Sequence, residues 1–211
     1  MQQTKGAEEK GPAELPRPQS GSGATTGASK TQEPFLGVKV RRRSSLNKVF
    51  QGDYLELNGN ATVLKLLSKH GDKAVLFADT VIKVDRKFRM QKRLILITDV
   101  ALYILETDSF RVKRRISLDT LESLRLSELN DNFFAVIIPA EYDYLLASTR
   151  KTEIVTVLLE ATRKLTGRNV SVKFGNSFEY NIDSETVRQV VFKQVDGNVS
   201  TKFSDSRIQQ S

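Results

Sequence analysis

The sequence predicts a mainly β domain with helix: an antiparallel meander of seven short strands bent into a barrel, closed by one C-terminal amphipathic helix, with extra terminal strands after it. Three observations predict it. From Ala74 to Ser148, apolar and β-branched residues recur with a period of two, broken by short turn signals. Between Lys151 and Leu165 the period becomes that of a helix with one apolar face. After Gly167, short alternating runs return. With 211 residues, 39% hydrophobic and 27% charged, the chain is long enough to bury one such core.

Residues 1–34 contain Pro12, Pro16, Pro18 and Pro34, five glycines, and no Ile, Val, Tyr or Trp. Such a segment buries too little apolar surface to offset its ordering entropy, which predicts a disordered tail ahead of a domain over 35–203. Asn58 or Asn60 is placed to cap a helix over Ala61–Lys69 whose Val63, Leu64, Leu66 and Leu67 face a core, and Gly71 to stop it. The expected strands are Val75–Val84, Lys92–Thr98, Val100–Glu106, Arg111–Leu118, Leu121–Leu126, Phe133–Ile138 and Tyr142–Ser148. The helix Lys151–Leu165, with Thr149 as N-cap, directs Ile154, Val155, Leu158, Leu159, Ala161 and Leu165 inward and ends at Gly167. Val170–Phe174, Phe178–Ile182, Val187–Val195 and Val199–Phe203 read as further strands, and 204–211 as a frayed end. Seven strands closed by one helix is the pattern of a pleckstrin-homology-like barrel.

The net charge of +8 is concentrated. Residues 41–98 hold 13 basic and 5 acidic side chains, whereas 1–40 hold 5 and 4, and 99–211 hold 15 and 16. A local field of this kind marks a surface for a polyanion: an anionic membrane, an acidic protein or nucleic acid. The absence of Cys and the single histidine, His70, exclude disulfides, thiolate zinc sites, cysteine nucleophiles and multi-histidine metal centres. Following a helix and preceding Gly71, His70 reads as a helix-end residue. Asp131 with Glu128, and Asp143 with Glu141, fall in predicted turns and read as solvated, with no nucleophile–base arrangement around them. No phosphate-binding glycine loop occurs, and the chain reads as non-enzymatic, without cofactor or metal. No run approaches the roughly 18 apolar residues of a membrane span, and no signal peptide opens the chain, which predicts a cytoplasmic protein.

The informative stretch is Lys83–Arg93, in which Lys83, Arg86, Lys87, Arg89, Lys92 and Arg93 are basic and Asp85 alone is acidic. Lying between the first two expected strands, it forms a hairpin on the barrel rim, with Lys83 and Arg93 near each other across the loop mouth. A phosphorylated headgroup needs cations converging from two sides, Arg supplying a bidentate fork and Lys a point charge. Phe88 and Met90 at the tip are placed to enter the bilayer boundary. Nucleic acid is disfavoured, because only Phe88 offers a stacking platform among the basic residues. Arg41, Arg42, Arg43 and Lys48 form an auxiliary basic arm. Within it, Ser44 and Ser45 fit the pattern of basophilic kinases, and a phosphate there adds about −1.5 to −2 charge and weakens attraction to an anionic surface. A protein-interaction domain docking a cytoskeletal or acidic partner stays open beside the membrane reading.

Arg41–Leu55, Phe77–Phe88, Lys92–Thr98, Lys113–Ile116, Asp131–Phe134, Lys151–Glu153 and Val172–Phe174 together resemble the tail homology 1 domain of class I myosins, over about residues 38–203. The resemblance implies a pleckstrin-homology-like core that binds anionic phospholipids, phosphatidylinositol bisphosphate and phosphatidylserine among them, as a peripheral protein at the inner face of the plasma membrane or at other acidic membranes. It implies a lipid-binding Lys at the end of the first strand and an Arg at the start of the second, which match Lys83 and Arg93, with Arg86, Lys87 and Arg89 in the same loop. It also admits actin-cytoskeleton proteins as partners. The motor and light-chain repeats that precede this domain in class I myosins have no counterpart here, so ATP hydrolysis and calmodulin binding are not implied. The initiator Met leads to the expectation of a complete small protein.

Overall fold

The computed structural model describes residues 51–206. The expected tail 1–34, the arm 41–48 with Ser44 and Ser45, and the last residues of the chain lie outside that range.

Helix α1 spans Ala61–His70. Asn60 caps it by accepting the N–H groups of Thr62 and Val63, and Gly71, at φ 75°, ends it in the left-handed region. Seven strands follow: β1 (Val75–Val84), β2 (Met90–Thr98), β3 (Ala101–Leu105), β4 (Val112–Ser117), β5 (Ser123–Leu126), β6 (Phe133–Ile137) and β7 (Tyr144–Ala147). Helix α2 covers Lys151–Thr166, and β8 (Ser171–Phe174), β9 (Ser177–Asn181), β10 (Val187–Val195) and β11 (Asn198–Asp205) complete the chain. The last strand runs two residues past its expected end, pairing Asp205 with Arg188. Thr149 does not cap α2. The residue before the helix is Arg150, with no capping side chain, and the Ser148 carbonyl and hydroxyl take the N–H groups of Lys151 and Arg150.

One sheet runs in the order β4-β3-β2-β1-β7-β6-β5-β8 and a second in the order β11-β10-β9. The large sheet is antiparallel except where β8 joins β5 in parallel. Strand β1 carries both halves: it pairs along its length with β2, and through Ile82 and Lys83 with β7. The expected closed barrel does not form. Among the described residues no ladder joins β4 to the far half of the sheet. A 3-10 turn at Leu118–Thr120 leads from β4 towards β5, and Leu118 and Leu121 join Ile154, Leu158 and Ala161 of α2 in the inner cluster. Four strands, β8–β11, follow α2.

Of three apolar clusters, two explain why β2 and β3 read as continuous hydrophobic runs, one on each face. The inner one joins Phe77, Val81, Ile95, Ile97, Leu102, Ile104, Ile116 and Leu146 to α2. A second lies on the outer face of β1, β6 and β7, where Val84, Phe133, Ile137 and Leu145 meet Phe178, Tyr180, Val190 and Phe192 of the small sheet. The third sets Val63 and Leu67 of α1 on Leu94, Leu96, Tyr103 and Leu105. Strands covered on both sides have no polar face to alternate. The helices present narrower stripes than expected: Leu64 is 47% exposed and Leu165 42%. Leu64 lies to one side of the Val63–Leu67 line, and Leu165 falls in the final turn of α2.

The entry segment is tied down at Gly52, whose φ of 76° and lack of a side chain are both needed, because a Cβ there would stand 2.7 Å from the Leu76 carbonyl oxygen. Its N–H donates to Glu153 Oε1 at 3.2 Å and its carbonyl accepts from Ala78, while the Tyr54 hydroxyl donates to Glu153 Oε2 at 2.8 Å.

Candidate functional site

The β1–β2 ladder sets Lys83 opposite Gln91 and Val81 opposite Arg93. Side chains alternate across a strand, so Lys83, Gln91 and Arg93 share the face of Val81, the inner face, at the rim where the apolar filling ends. Lys92, opposite Ile82, lies on the other face and is exposed. The six basic residues that the sequence groups in one hairpin are therefore divided between two faces and a turn. Asp85 organises the turn: its Oδ1 accepts the N–H groups of Lys87 and Arg89 at 2.7 and 2.9 Å, and its Oδ2 accepts from Arg89 Nε and Gln91 Nε2 at 2.7 and 2.8 Å. Partial burial opposes ionisation of Asp85, yet these donors hold its carboxyl below the usual carboxylate range. Arg89 is thereby committed to Asp85, while Arg86 and Lys87 are exposed.

Lys83 is half-buried, with Nζ 4.8 Å from the centre of the Tyr144 ring. Burial first, then repulsion from Arg93, Arg86 and Arg114, pushes its ammonium below the usual lysine value, with Asp85 opposing. Arg93 is oriented by Gln91 Oε1 at 2.6 Å and by the Lys92 carbonyl at 2.8 Å. Arg114 joins them from β4: paired with Ile104, it faces inward, forms an ion pair with Glu141, and stacks over Tyr142 at 4.9 Å. Arg86 approaches the same ring at 5.5 Å. A cleft of about 300 Å³ beside the turn is lined by Lys83, Arg86, Lys87, Tyr142, Asp143 and Tyr180.

Arg114, Tyr142 and Tyr144 were not among the sequence-derived candidates. A signal for Arg114 existed, since a period of two counted back from Ile116 puts it on the core side of β4. Two other expectations change. The apolar tip is turned inward: Phe88 packs on Phe203 with ring centres 5.9 Å apart, and Met90 joins the cluster beneath the small sheet. Asp131 and Asp143, expected to be solvated, are each 6% exposed. Asp131 takes the Phe133 N–H at 2.7 Å and pairs with Lys151, and Asp143 joins the Ile138 and Asn181 N–H groups at 2.8 and 2.7 Å. They secure turns that the chain would otherwise bury with orphaned donors. His70 ends α1 with its ring 6.1 Å from that of Tyr103.

Among the described residues no helix is long and apolar enough to cross a membrane, and no group of His, Cys, Asp and Glu side chains is placed to hold a metal ion.

The chain is 29% identical over 168 residues to the myosin IB heavy chain of Dictyostelium discoideum, covering 76% of this chain and 15% of that protein. It is 31% identical over 166 residues to the myosin heavy chain IB of Acanthamoeba castellanii, covering 75% and 14%. With the unconventional myosin-Ib of Mus musculus the identity is 28% over 178 residues, covering 80% and 16%. The chain thus spans between 14% and 16% of the length of these relatives. Among solved structures, the carboxyl-terminal PH domain of pleckstrin is 16% identical with a TM-score of 0.39, covering 43% of this chain and 98% of that one. The family model of the unconventional myosin tail, described as actin- and lipid-binding, matches residues 41–210, and the chain belongs to that family.

Proposed function

We propose that the domain is a non-enzymatic module that binds anionic phospholipids, phosphoinositides foremost, and links a membrane surface to the cytoskeleton from the inner face of the plasma membrane. Lys83, Arg93, Arg86 and Arg114 take the headgroup phosphates at the rim. Exposed Lys87 and Lys92, with the arm Arg41, Arg42, Arg43 and Lys48, add longer-range attraction to lipids such as phosphatidylserine. The observation that carries this reading is the setting of Lys83: a half-buried ammonium beside three guanidinium groups, with Asp85 already engaged by the N–H groups of the turn. Like charges held together at a folding cost are what a polyanion would relieve. The family description as lipid-binding supports the same class of ligand.

Co-sedimentation with phosphatidylcholine vesicles doped with phosphatidylinositol bisphosphate tests it. A basic side chain near an anionic leaflet contributes about 1 kcal/mol. Lys83→Glu or Arg93→Glu should therefore cost about 2 kcal/mol, roughly thirtyfold in affinity, with the melting temperature little changed. Binding by both variants at the level of the unaltered chain would overturn the site. The second reading, docking of an acidic or cytoskeletal protein, is favoured by the mention of actin in the family description. It predicts binding to actin filaments that survives both substitutions.

A further inference from the structure

The small sheet touches the basic turn through Arg188 of β10 and Phe203 of β11. Arg188, on β10, is 6% exposed although it carries a permanent charge. Its guanidinium donates to the backbone carbonyls of Asp85 and Arg86, at 3.3 and 2.5 Å, and to Asp205 Oδ1 of β11 at 3.0 Å. Its plane lies over the Phe88 ring at 3.8 Å. Phe88 itself stands at φ 57°, in the left-handed region that an aromatic residue occupies only where its surroundings over-determine it. Those surroundings are Arg188 above and Phe203 of β11 beside it.

We propose that Arg188 is a positioning residue for the anion site: held between β11 and the turn, it draws the Asp85 and Arg86 carbonyls toward the small sheet and so fixes the turn in the shape that aims Arg86 and Lys83 at a phosphate. This rests on the membrane reading above. Three physical points carry it. The donors of Arg188 that reach the turn end on its carbonyls, so the residue acts through the backbone. Carbonyl oxygens are the negative ends of their peptide groups, and tying them to Arg188 keeps them out of the field that an incoming phosphate meets. Arg86 leaves the chain at one of the clamped carbonyls and stacks toward Tyr142, so rotation of that peptide would carry its guanidinium away. Only the planar fork of an arginine serves two carbonyls, a carboxylate and a ring face together. The small sheet is in this way a buttress for a site to which it contributes no exposed cation.

The test compares full-length Arg188→Lys with Val190→Ala and Lys83→Glu in vesicle co-sedimentation with phosphatidylinositol bisphosphate, well below the melting temperatures. Arg188→Lys keeps the charge but loses the fork and the stacking plane. It should bind about fivefold to tenfold more weakly, a cost of disorder in the turn, and amide exchange at Lys87–Arg89 should quicken while the rest of the sheet stays protected. Val190 is fully buried on the same strand, in the apolar cluster beneath the small sheet, so Val190→Ala should lower the melting temperature at least as far and leave binding unchanged. Unaltered binding by Arg188→Lys, or an equal loss in Val190→Ala, would overturn the positioning role. If Lys83→Glu also binds normally, the membrane site itself falls; if Lys83→Glu loses binding and Arg188→Lys does not, only this inference falls.

Discussion

Arg114 and Arg115 are neighbours on β4, point to opposite faces, and have opposite surroundings. On the outer face Arg115 meets a buried anion. Asp72 accepts from Arg115 Nη2 at 3.2 Å, the Thr98 hydroxyl at 2.7 Å and the Tyr103 hydroxyl at 2.8 Å, and Arg115 Nε also donates to the Tyr103 oxygen at 2.8 Å. Burial, with the Asp72 contact adding to it, pushes the Tyr103 hydroxyl up to about 12. On the inner face Arg114 pairs with Glu141 and lies beside Lys83, Arg93 and the Arg86 of the turn, where cations still outnumber anions. A charge that has found its partner within the chain supports the fold, whereas a cluster short of partners is available to a ligand.

The comparison breaks most sharply through stability. Asp72→Ala should cost about 2–3 kcal/mol in chemical denaturation, because Thr98, Tyr103 and Arg115 lose a shared acceptor. The figure sits below that of a fully buried pair because the Arg115 side chain is 28% exposed. Vesicle binding of the folded fraction should not change. A loss of binding without loss of stability would mean that the outer network also serves the ligand.

Lys83→Met should behave in the reverse manner. Its ordinary pKa is lowered in the fold, so the charged form opposes folding. That penalty is complete below the folded-state pKa and fades as pH rises toward the unfolded value. Removing the ammonium should raise the melting temperature slightly at neutral pH while abolishing most vesicle binding, the trade between stability and function expected of a ligand site. A destabilised Lys83→Met variant would show that Lys83 packs as a structural residue.

The smallest effect sharpens the same point through pH. A bound phosphate favours the Lys83 ammonium, so its pKa is higher in the complex than in the free domain, and binding takes up protons once the free group begins to titrate. Affinity for phosphoinositide vesicles should decline as pH rises through that lowered pKa, before ordinary lysines titrate near 10.5. Lys83→Arg stays charged throughout and should flatten the profile. An identical profile in both proteins would remove Lys83 from contact with the ligand.

Much of the fold was legible because its signals are local. Val75–Val84 and Val187–Val195 have the bounds that their composition suggests, and Asn60 and Gly71 frame α1 as caps do anywhere. Lys83 and Arg93 likewise stood out, as the ends of a charged run between two apolar ones. Arg89 was indistinguishable from Arg86 in that run, yet Asp85 engages one and not the other. Nothing near Phe88 announces that it turns inward, since its partners lie 100 and more residues ahead in Arg188 and Phe203.

The sequence by itself determined which segments are strand and which are helix, with ends placed to within about two residues, and that the charge excess is concentrated in residues 41–98, because periodicity, capping and composition act over a few residues. The tertiary structure alone decided that the sheet stays open, that Lys92 faces away from Lys83 and Arg93, that Arg114 joins them, and that the small sheet grips the basic turn. Those outcomes depend on how Leu118 and Leu121 pack with α2 and on contacts such as that of Arg188 with the Asp85 carbonyl, 103 residues apart. Pairings at that separation are chosen by packing of the whole chain, and no window of neighbouring residues encodes them.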